Sequence, residues 1–414
     1  MKTDICIIGA GPAGLMAAIH AAQGGATTVV LEANAQAGRK LLVTGGGRCN
    51  FTHAALPDEL VRTFGSRGRF LRHGFHEMPP ADVRAFFRKG GVSSKVEGND
   101  CVFPTSDRAS HIRDLLVREA RNLGVQLAYR QPAQEVIRAS DGFVIRTNRR
   151  TVPAANVLIT TGGATWPQTG STGDGYRFAA ELGHTVHPPR PSLVPLVIRE
   201  QWVRDLAGIS LVDVRVRTRV EGRRIVTAGG LLFTHNGVGG PAVLDLSRHI
   251  ADCPPARQAA LEIAIDLAPG IDRENLDHQL QAQLAAHPRK TVANALPAVL
   301  PRRLASALCR VGGCDPKSAS GRLTKETRKR LLTLIKGLPL LVIGTRPIAE
   351  ATVTRGGVST GEIDPRTMAS RLCAGLFFAG EVIDADGPCG GYNLQMCWST
   401  GALAGRLAAR SVLD

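Results

Sequence analysis

The sequence predicts an α/β protein whose doubly wound, mostly parallel sheet is interrupted by a long insertion. Three observations support this fold class: a strand–helix–strand unit at the N-terminus, strand and glycine patterns that return near the C-terminus, and a stretch of different composition between them. Strands that alternate with helices are typical of a parallel sheet with helices on both faces. With 414 residues, the chain is long enough for two domains or for one domain with an insertion.

The N-terminal unit has the pattern of a dinucleotide-binding turn. Asp4 to Ile8 reads as a buried strand, residues 9–14 form a GxGxxG sequence, and an apolar helix and a second strand follow. The first glycine makes the tight turn, the second lets the backbone approach a pyrophosphate, and the third lets the helix pack on the strand; they are Gly9, Gly11 and Gly14. Glu32 ends the second strand, where a carboxylate accepts hydrogen bonds from an adenosine ribose. A lone GxGxxG is also found in ordinary turns, but here every part is in register.

The following segments continue the α/β pattern. Helices are expected from about Pro80 to Lys89 and from Ser110 to Leu123, and Val125 to Tyr129 reads as a third parallel strand. The segments that follow, up to Thr161, are short and separated by polar turns, which predicts a β-meander.

A proline-rich segment at 187–191 marks the start of the insertion. After it, Leu193 to Asp266 is strand-like, and Glu274 to Lys336 is helix-like with short breaks. We therefore expect two halves of a nucleotide-binding domain on either side of a strand-rich part and a helix-rich part. In chain order the four parts are 1–190, 191–270, 271–340 and 341–414.

Two further glycine-rich segments are candidates for the same nucleotide site. The loop from Gly38 to Asn50 combines glycines, which permit close backbone approach, with three sources of positive charge: Arg39, Lys40 and Arg48. Residues 160–163 end a strand with small side chains, and residues 170–175 open a helix. The loop is also consistent with a solvated turn, and three residues of the last segment are equally consistent with helix caps: Ser171, Thr172 and Asp174.

The segment from Gly375 to Gln395 reads as a strand, an acidic turn, a glycine turn and the start of a helix. An acidic residue after such a strand commonly holds the ribityl chain of a flavin, and Glu381 and Asp384 are the candidates. The N–H groups of Gly391 to Asn393 are expected to face the flavin pyrimidine edge, where a helix dipole stabilises the negative charge of reduced flavin. A simple nicotinamide dehydrogenase does not need this arrangement.

On these motifs the chain resembles the BaiN/RdsA (YhiN-like) group of FAD-dependent oxidoreductases, within the glutathione-reductase-type FAD superfamily. The resemblance covers essentially the whole chain and is most specific at 45–50, 356–364 and 378–395. It implies a split Rossmann-like FAD-binding domain of the GR2 type, with a β-meander, that carries an inserted β-barrel and a small helical bundle.

The resemblance also implies which residues hold FAD. It places the pyrophosphate at residues 9–14, the adenosine ribose at Glu32, the adenine at Val136 and the isoalloxazine at Gly391 to Leu394. Gly380, with Glu381 or Asp384, is expected near the ribityl chain and the phosphates. The expected cofactor-binding residues are Gly9, Gly11, Pro12, Ala13, Gly14, Glu32, Ala33, Arg39, Lys40, Gly46, Gly47, Arg48, Cys49, Asn50, Val136, Thr161, Gly162, Gly380, Glu381, Asp384, Gly391, Tyr392, Asn393 and Leu394.

Three residues are candidates for the acid that protonates the substrate. Cys389 lies in the glycine turn beside the expected flavin, although filling a tight turn is the plainer explanation for a small residue there. Tyr392 starts the last helix, and His235 lies in a glycine-rich loop of the insertion. Cys49 is a further thiol of interest, because its neighbour Arg48 is expected to lower its pKa. No metal site is expected.

The charge is unusual for an enzyme that acts only on small molecules. Lys and Arg number 51 against 35 Asp and Glu, a formal net charge of +16. Such an excess favours nucleic acid as a partner, but an arginine-rich genome explains it equally well. Basic residues cluster at Arg62–His73, where Phe64 and Phe70 are interleaved, and at Arg322–Lys336. Arginines beside aromatic rings suit looped RNA with stacked bases, whereas the second cluster is equally typical of a solvated helix face.

Composition excludes several classes. The nine cysteines include no CxxC pair, which argues against a dithiol reductase and predicts reduced thiols in a cytoplasmic protein. No apolar run reaches about 18 residues, so no membrane span is expected. Because the first strand begins almost at once, no signal peptide is expected.

The expected function is an FAD-dependent oxidoreductase. NAD(P)H is the expected transient electron donor, because the sequence has no second GxGxxG. Flavin would deliver hydride to an activated C=C bond while a nearby acid protonates the adjacent atom. Activities of the resembled family include C=C reduction in steroids and in ribosomal uridines, and the charge favours uridine in rRNA. The alternatives are a reductase of a small steroid-like or enone molecule and a flavin-binding regulatory protein with little turnover.

Overall fold

The computed structural model describes residues 3–251, 253, 261–296 and 300–413. The chain divides into two compact units. The first combines Met1–Pro191 with Ile348–Asp414, and the second is Ser192–Pro347. We refer to them as the nucleotide unit and the inserted unit. The finer boundaries expected at 270 and 340 stay a prediction.

The described strands and helices are numbered in chain order. The strands are β1 Thr3–Ile8, β2 Thr28–Glu32, β3 Thr52–His53, β4 Ser94–Val96, β5 Cys101–Pro104, β6 Gln126–Tyr129, β7 Ala133–Ala139, β8 Gly142–Thr147, β9 Thr151–Ile159, β10 Val186–Ser192, β11 Leu196–Ile198, β12 Ser210–Val220, β13 Arg223–Thr234, β14 Gly237–Gly239, β15 Leu261–Asp266, β16 Leu338–Thr345, β17 Val353–Val358 and β18 Leu376–Phe378. The helices are α1 Pro12–Gln23, α2 Pro57–Thr63, α3 Gly68–Glu77, α4 Pro80–Lys89, α5 Ala109–Asn122, α6 Asp174–Glu181, α7 Pro241–Ile250, α8 Arg273–Ala286, α9 Val292–Ala295, α10 Arg302–Val311, α11 Lys325–Lys336 and α12 Tyr392–Leu413.

The nucleotide unit is built on a seven-stranded sheet. Its order is β6-β2-β1-β9-β8-β7, and β18 also pairs with β9. Strands β6, β2, β1, β9 and β18 run parallel, whereas β7, β8 and β9 form the antiparallel meander. Strand β1 is a continuous buried apolar run, as expected for a parallel strand covered on both faces. The predicted α/β fold with its parallel sheet and meander is confirmed.

Small residues bring the first and last helices of this unit into close contact. A Cβ atom at Gly401 would lie 2.4 Å from the Ala13 carbonyl oxygen, and one at Gly405 would lie 2.1 Å from that of Ala17. Both distances are far shorter than any van der Waals contact, so only glycine lets α12 approach α1 this closely. The contact joins segments that are almost the whole chain apart in sequence.

The inserted unit is a closed barrel with helices. The barrel order is β11-β14-β13-β12-β15-β16, and β11 closes it against β16. The expected inserted barrel is therefore confirmed, but two of its parts differ from the sequence expectation. Helix α7 lies in the stretch read as strand-like, and it buries residues at helical spacing: Ala242, Val243, Leu246 and Ile250.

The second difference is β16, which returns to the barrel after the helices. The sequence pattern predicts helix up to Lys336 and no strand between that residue and residue 347. Strand β16 pairs with β15 and with β11 and is short and apolar. Periodicity does not separate a short apolar strand from a buried helical segment, so only its partners identify it.

The contact between α1 and α12 makes a stability prediction. Replacing Gly401 by Ala forces the two helices apart, and overpacking of this kind costs about 1–3 kcal/mol. We expect Gly401→Ala to lower the free energy of unfolding by that amount in urea titrations. The matched control is Gly98→Ala, where an added Cβ has no neighbour within 4 Å. Equal stability of the two variants would contradict the close contact.

Candidate cofactor site

The three glycines of the N-terminal turn have separate steric roles. Gly9 has a φ of +103°, and a Cβ there would lie 2.7 Å from the Thr160 carbonyl oxygen. A Cβ at Gly14 would lie 1.9 Å from the carbonyl oxygen of Gly9, so this glycine lets α1 pack on the strand end. A Cβ at Gly11 would meet no protein atom within 4 Å. Gly11 therefore exposes its backbone to whatever binds at this turn.

Helix α1 begins at this turn without a protein cap. Its N-cap residue, Gly11, has no side chain to accept from the first N–H groups, and the first turn contains no acidic residue. Pro12 occupies the first helical position, where its fixed φ and missing N–H suit a helix start. The remaining N–H groups and the positive end of the helix dipole form an anion site.

Glu32 is held at the end of β2 beside this turn. Its Oε2 accepts a hydrogen bond from the Ala10 N–H at 2.9 Å, and its Oε1 accepts one from the Asn34 N–H at 2.8 Å. The side chain is buried, and Ala33 beside it is exposed. Asn34 Nδ2 also donates to Oε1 at 2.7 Å, so Oε2 is the oxygen that keeps a lone pair for a hydroxyl donor.

The loop from Gly38 to Asn50 lies against the same turn. The Gly38 N–H donates to the Ala10 carbonyl oxygen at 2.9 Å. Further on, residues 45–47 all have positive φ and are exposed. Added Cβ atoms at Gly46 and Gly47 would have no protein neighbour closer than 3.9 Å. This backbone is therefore open to close approach, as predicted.

The three cations of this loop already have hydrogen-bond or ion-pair partners within the protein. Lys40 Nζ lies 2.8 Å from Glu381 Oε2, and Arg39 donates to Asn34 Oδ1 at 2.8 Å. Arg48 pairs with Glu97 at 2.9 Å and with Asp107 at 3.2 Å. Carboxylates thus neutralise Lys40 and Arg48, whereas Arg39 bonds a neutral amide. That these three residues bind the cofactor stays a prediction.

Cys49 also differs from its expectation. The residue is fully buried, and burial raises the pKa of its thiol to about 12. Its neighbour Arg48 is turned towards Glu97 and Asp107, and it is not among the causes that act on the thiol. The expected lowering of this pKa is therefore wrong, since desolvation disfavours a thiolate.

Three further residues expected to bind the cofactor lie on the sheet or just after it, and their contacts with the cofactor stay a prediction. Thr161 and Gly162 follow β9, and Gly162 has a φ of +77°. Val136 is buried in β7. Helix α6 begins at Asp174 with Gly173 as its N-cap and no side-chain cap, so the capping alternative is not what the structure shows.

The C-terminal segment meets the N-terminal turn at Gly380. A Cβ atom there would lie 2.7 Å from the Ala13 Cβ, and the Gly380 N–H donates to Thr400 Oγ1 at 3.0 Å. The two acidic candidates that follow are both ion-paired. Glu381 accepts from Lys40 and from the Thr354 N–H at 2.8 Å, and Asp384 is paired with Arg67.

The glycine turn before α12 is closed by Asn393. Its Nδ2 donates to the Gly387 carbonyl oxygen at 2.9 Å, and its Oδ1 accepts from the Gly387 N–H at 2.8 Å. Gly391 has a φ of +91°, and a Cβ there would lie 2.8 Å from Asn50 Oδ1. The loop that ends at Asn50 and the turn at Gly391 are thus in contact, so the structure unites these two predicted segments.

His53 of β3 contacts this turn, and the sequence pattern does not identify it as a site residue. Its ring stacks on Tyr392 with centroids 4.3 Å apart, and its Nδ1 lies 2.9 Å from the Gly390 carbonyl oxygen. A carbonyl accepts only, so Nδ1 carries the hydrogen and Nε2 is the acceptor in the neutral ring. Strand β3, which carries His53, has only two residues and gives no periodic signal.

The three predicted acids fall in different places. Cys389 and Tyr392 lie together in the glycine turn of the nucleotide unit, and both are half-buried. His235 is exposed between β13 and β14 of the inserted unit. Cys389 and Tyr392 therefore lie in one turn, which His53 of β3 contacts, whereas His235 belongs to the barrel.

The two aromatic rings of the first basic cluster differ in burial. Phe64 is buried against Phe75, with centroids 5.2 Å apart, whereas Phe70 is half-buried at the edge of the same core. The expectation that these aromatics stack on bases is therefore wrong for Phe64, because the core covers its ring, and stays a prediction for Phe70. Arg67 and Arg72 are paired with Asp384 and Asp58.

Two residues of the second basic cluster, Arg322–Lys336, form ion pairs with acidic side chains. Arg328 pairs with Asp277, and Lys336 pairs with Asp266, both at 2.8 Å. The rest of the cluster is exposed: Arg322, Lys325, Lys329 and Arg330. Among the described residues, every helix falls short of the length and hydrophobicity that a membrane crossing requires.

Comparison with known proteins identifies the family. The family described as HI0933-like protein Rossmann domain matches residues 3–407. The chain belongs to the HI0933-like family. It is 32% identical over 409 residues to a 3-dehydro-bile acid Δ4,6-reductase of Clostridium scindens, covering 98% of both chains. It is also 32% identical over 399 residues to a ribosomal RNA dihydrouridine synthase of Escherichia coli, covering 96% of both. The family resemblance seen in the sequence is confirmed.

Solved structures support the fold. A flavocytochrome c3 fumarate reductase matches all of this chain and 79% of its own, with a TM-score of 0.54 and 16% identity.

The residues of the candidate site fit the adenosine half of a flavin dinucleotide. An open backbone at Gly11, an uncapped N-terminus of α1 and the fixed carboxylate of Glu32 are the three features that such a group requires.

The steric roles of the glycines make a prediction about the cofactor. We expect Gly11→Ala to destabilise the apoprotein by no more than about 1 kcal/mol, because the added methyl meets no protein atom and only the poorer N-cap propensity of alanine acts. Its flavin content after purification, measured as the ratio of flavin to protein absorbance, is expected to fall. Gly98→Ala is again the control and should keep its flavin. Full flavin occupancy in Gly11→Ala would contradict the assignment of this turn.

The burial of Cys49 makes a prediction about reactivity. Because its pKa is about 12, the thiol stays protonated at mildly alkaline pH. We expect iodoacetamide to leave Cys49 unmodified in the native protein and to modify it in guanidinium chloride, as read by peptide mapping. The half-buried Cys101 is the internal reference. Rapid native labelling of Cys49 would show that the thiol is accessible and ionised.

Proposed function

We propose that the protein is an FAD-dependent oxidoreductase that uses NAD(P)H to reduce an activated C=C bond, and that its substrate is a uracil ring in ribosomal RNA. The observation that carries this proposal is full-length similarity to relatives named as a bile-acid reductase and as ribosomal RNA dihydrouridine synthases. Saturation of a ring C=C bond converts uridine to dihydrouridine, so one chemistry accounts for both names.

The nucleotide unit supplies the residues that would hold FAD. We propose that the N-terminus of α1 and the backbone of Gly11 bind the pyrophosphate, and that Glu32 accepts from the adenosine ribose. The exposed glycine backbone at 45–47 and the turn at Gly391 are proposed to line the flavin end. Bound FAD supplies the hydride, and the protein supplies orientation, exclusion of water and a proton.

The proposed proton source lies in the glycine turn. Tyr392 is half-buried, stacks on His53 and lies three residues from Cys389. A phenol is a donor at neutral pH, and the hydrogen bond from His53 to Gly390 holds the stacked pair in place. We therefore favour Tyr392 over Cys389 as the acid, with His53 as a positioning residue.

The distribution of charge favours RNA over a small molecule. The inserted unit, Ser192–Pro347, contains 23 Lys and Arg and 13 Asp and Glu, so it carries +10 of the total +16 in 156 of 414 residues. An arginine-rich genome raises charge throughout a chain and does not explain such concentration. A small-molecule reductase is the second candidate, supported by the full-length similarity to the bile-acid reductase. We propose a cytoplasmic location, where both NAD(P)H and ribosomal RNA occur.

The proposal is tested in cells that lack the gene. We expect mass spectrometry of digested ribosomal RNA to show loss of a dihydrouridine, restored by the wild-type gene and by a Cys389→Ala variant. A Tyr392→Phe variant is expected to restore little, since a positioned acid contributes roughly a hundredfold or more to rate. An unchanged dihydrouridine profile after deletion would refute the RNA substrate, and turnover of soluble enones would then be measured.

A further inference from the structure

Strands β12 and β13 form a long hairpin in the inserted unit. The two residues that join them, Glu221 and Gly222, have φ values of +49° and +79°, as a tight two-residue turn requires. Strand β12 also pairs with β15 from Arg215 to Thr218, and β13 also pairs with β14 from Leu232 to Thr234. Between Arg219 and Arg224 the hairpin is held by the pairing of its own two strands and by the turn.

The two faces of β12 differ sharply. Val214, Val216 and Thr218 are buried. The residues that alternate with them point away from the core, as strand geometry dictates, and all three are arginines: Arg215, Arg217 and Arg219. Across the hairpin, Arg224 lies directly opposite Arg219 and therefore on the same face, whereas Arg223 lies opposite Val220 and on the other face. We call Arg215, Arg217, Arg219 and Arg224 the arginine stripe.

The stripe carries charge that nothing in the described part of the barrel neutralises. Like charges directly opposite each other on paired strands are destabilising, as at Arg219 and Arg224. Asp266 of β15 lies directly opposite Arg215 of β12. The Asp266 carboxylate, however, lies 2.8 Å from Lys336 Nζ and is paired with that cation. The hairpin's own acidic residues, Asp213 and Glu221, lie at its two ends. Among the described residues no stripe arginine forms an ion pair, but Arg217 is half-buried and its Nη2 donates to the Lys336 carbonyl oxygen at 2.9 Å.

We propose that the arginine stripe binds the phosphate backbone of structured RNA. This inference rests on the proposed function and names the surface that its substrate would meet. The stripe contains arginine and no lysine, and the planar guanidinium matches phosphate oxygens in bidentate geometry. Side chains two residues apart on a strand are about 6.8 Å apart, a spacing comparable to that of successive phosphates.

The stripe recognises phosphates and not bases. Between Ser210 and Thr234 the one aromatic side chain is Phe233, and it is fully buried. Binding of unstacked bases relies on aromatic platforms, which this face lacks, whereas double-stranded RNA is recognised mainly through its shape and backbone. The stripe is therefore expected to bind duplex regions with little regard to sequence.

The test compares RNA binding by matched variants of the flavin-loaded protein. The probes are two 20-base-pair RNA duplexes of unrelated sequence, titrated at several salt concentrations. We expect Arg219→Gln with Arg224→Gln to weaken binding to both duplexes equally and to lower the salt slope by about one for each lost phosphate contact. The control removes the same charge from the nucleotide unit through Arg149→Gln with Arg366→Gln, two exposed side chains.

A charge reversal separates a binding role from a structural one. In Arg219→Glu the new carboxylate faces Arg224, so the cross-strand pair becomes attractive. We expect this variant to melt at the same or a higher temperature than wild type and yet to bind RNA more weakly. Loss of RNA affinity that is accompanied by loss of stability would contradict the proposal.

Two further results would overturn it. The first is equal weakening by the stripe variant and the control, which would show that only total charge matters. The second is tight binding to anionic phospholipid vesicles with no binding to the duplexes.

The outcome of this test is distinct from the outcome of the test of the proposed function, because gene deletion reports on dihydrouridine whether or not the stripe binds RNA. If dihydrouridine stays normal after gene deletion while RNA binding depends on the stripe, the uridine chemistry is refuted and the RNA-binding role of the stripe is supported.

Discussion

The nucleotide unit depends on the close contact between α1 and α12. Gly401 and Gly405 let the last helix approach the first within distances that any side chain would forbid. Helix α1 starts at the GxGxxG turn, and α12 starts at the glycine turn before Tyr392. Packing these two helices together therefore places both turns in one unit, together with Gly380, which touches Ala13. The cofactor site is assembled from the two ends of the chain, and steric fit between small residues holds it.

Charge is used differently in the two units. In the nucleotide unit the acidic residues after β18 are each paired with a cation, as with Glu381 and Lys40, Asp384 and Arg67, and Asp386 and Arg355. These partly buried pairs orient the loops around the site. The inserted unit also has ion pairs, at Arg328 with Asp277 and at Lys336 with Asp266, but the arginine stripe on β12 and β13 forms none among the described residues. Cations without carboxylate partners on one strand face are the physical basis for proposing RNA contact at the stripe.

Elements with strong local signals were predictable. The β1-α1-β2 unit, the parallel strand β6 and the long helices agree with their sequence patterns, because continuous apolar runs, a glycine turn and amphipathic spacing are local properties. Strands β3 and β16 were not predictable. The first has two residues and is defined by pairing with β5, and the second is a short apolar run defined by pairing with β11 and β15. His53 was missed for the same reason, since its position depends on that short strand.

The sequence by itself determined the dinucleotide turn, because the roles of Gly9, Gly11 and Gly14 follow from backbone sterics within one βαβ unit. It also determined the family and the parts of the chain that carry glycine-rich turns. Tertiary structure alone decided which individual side chains are ion-paired and which are ionised. Arg48 stands next to Cys49 in sequence, yet distant carboxylates bind the guanidinium and burial raises the thiol pKa to about 12. Ionisation and availability depend on partners brought together by folding, and neighbours in sequence do not specify them.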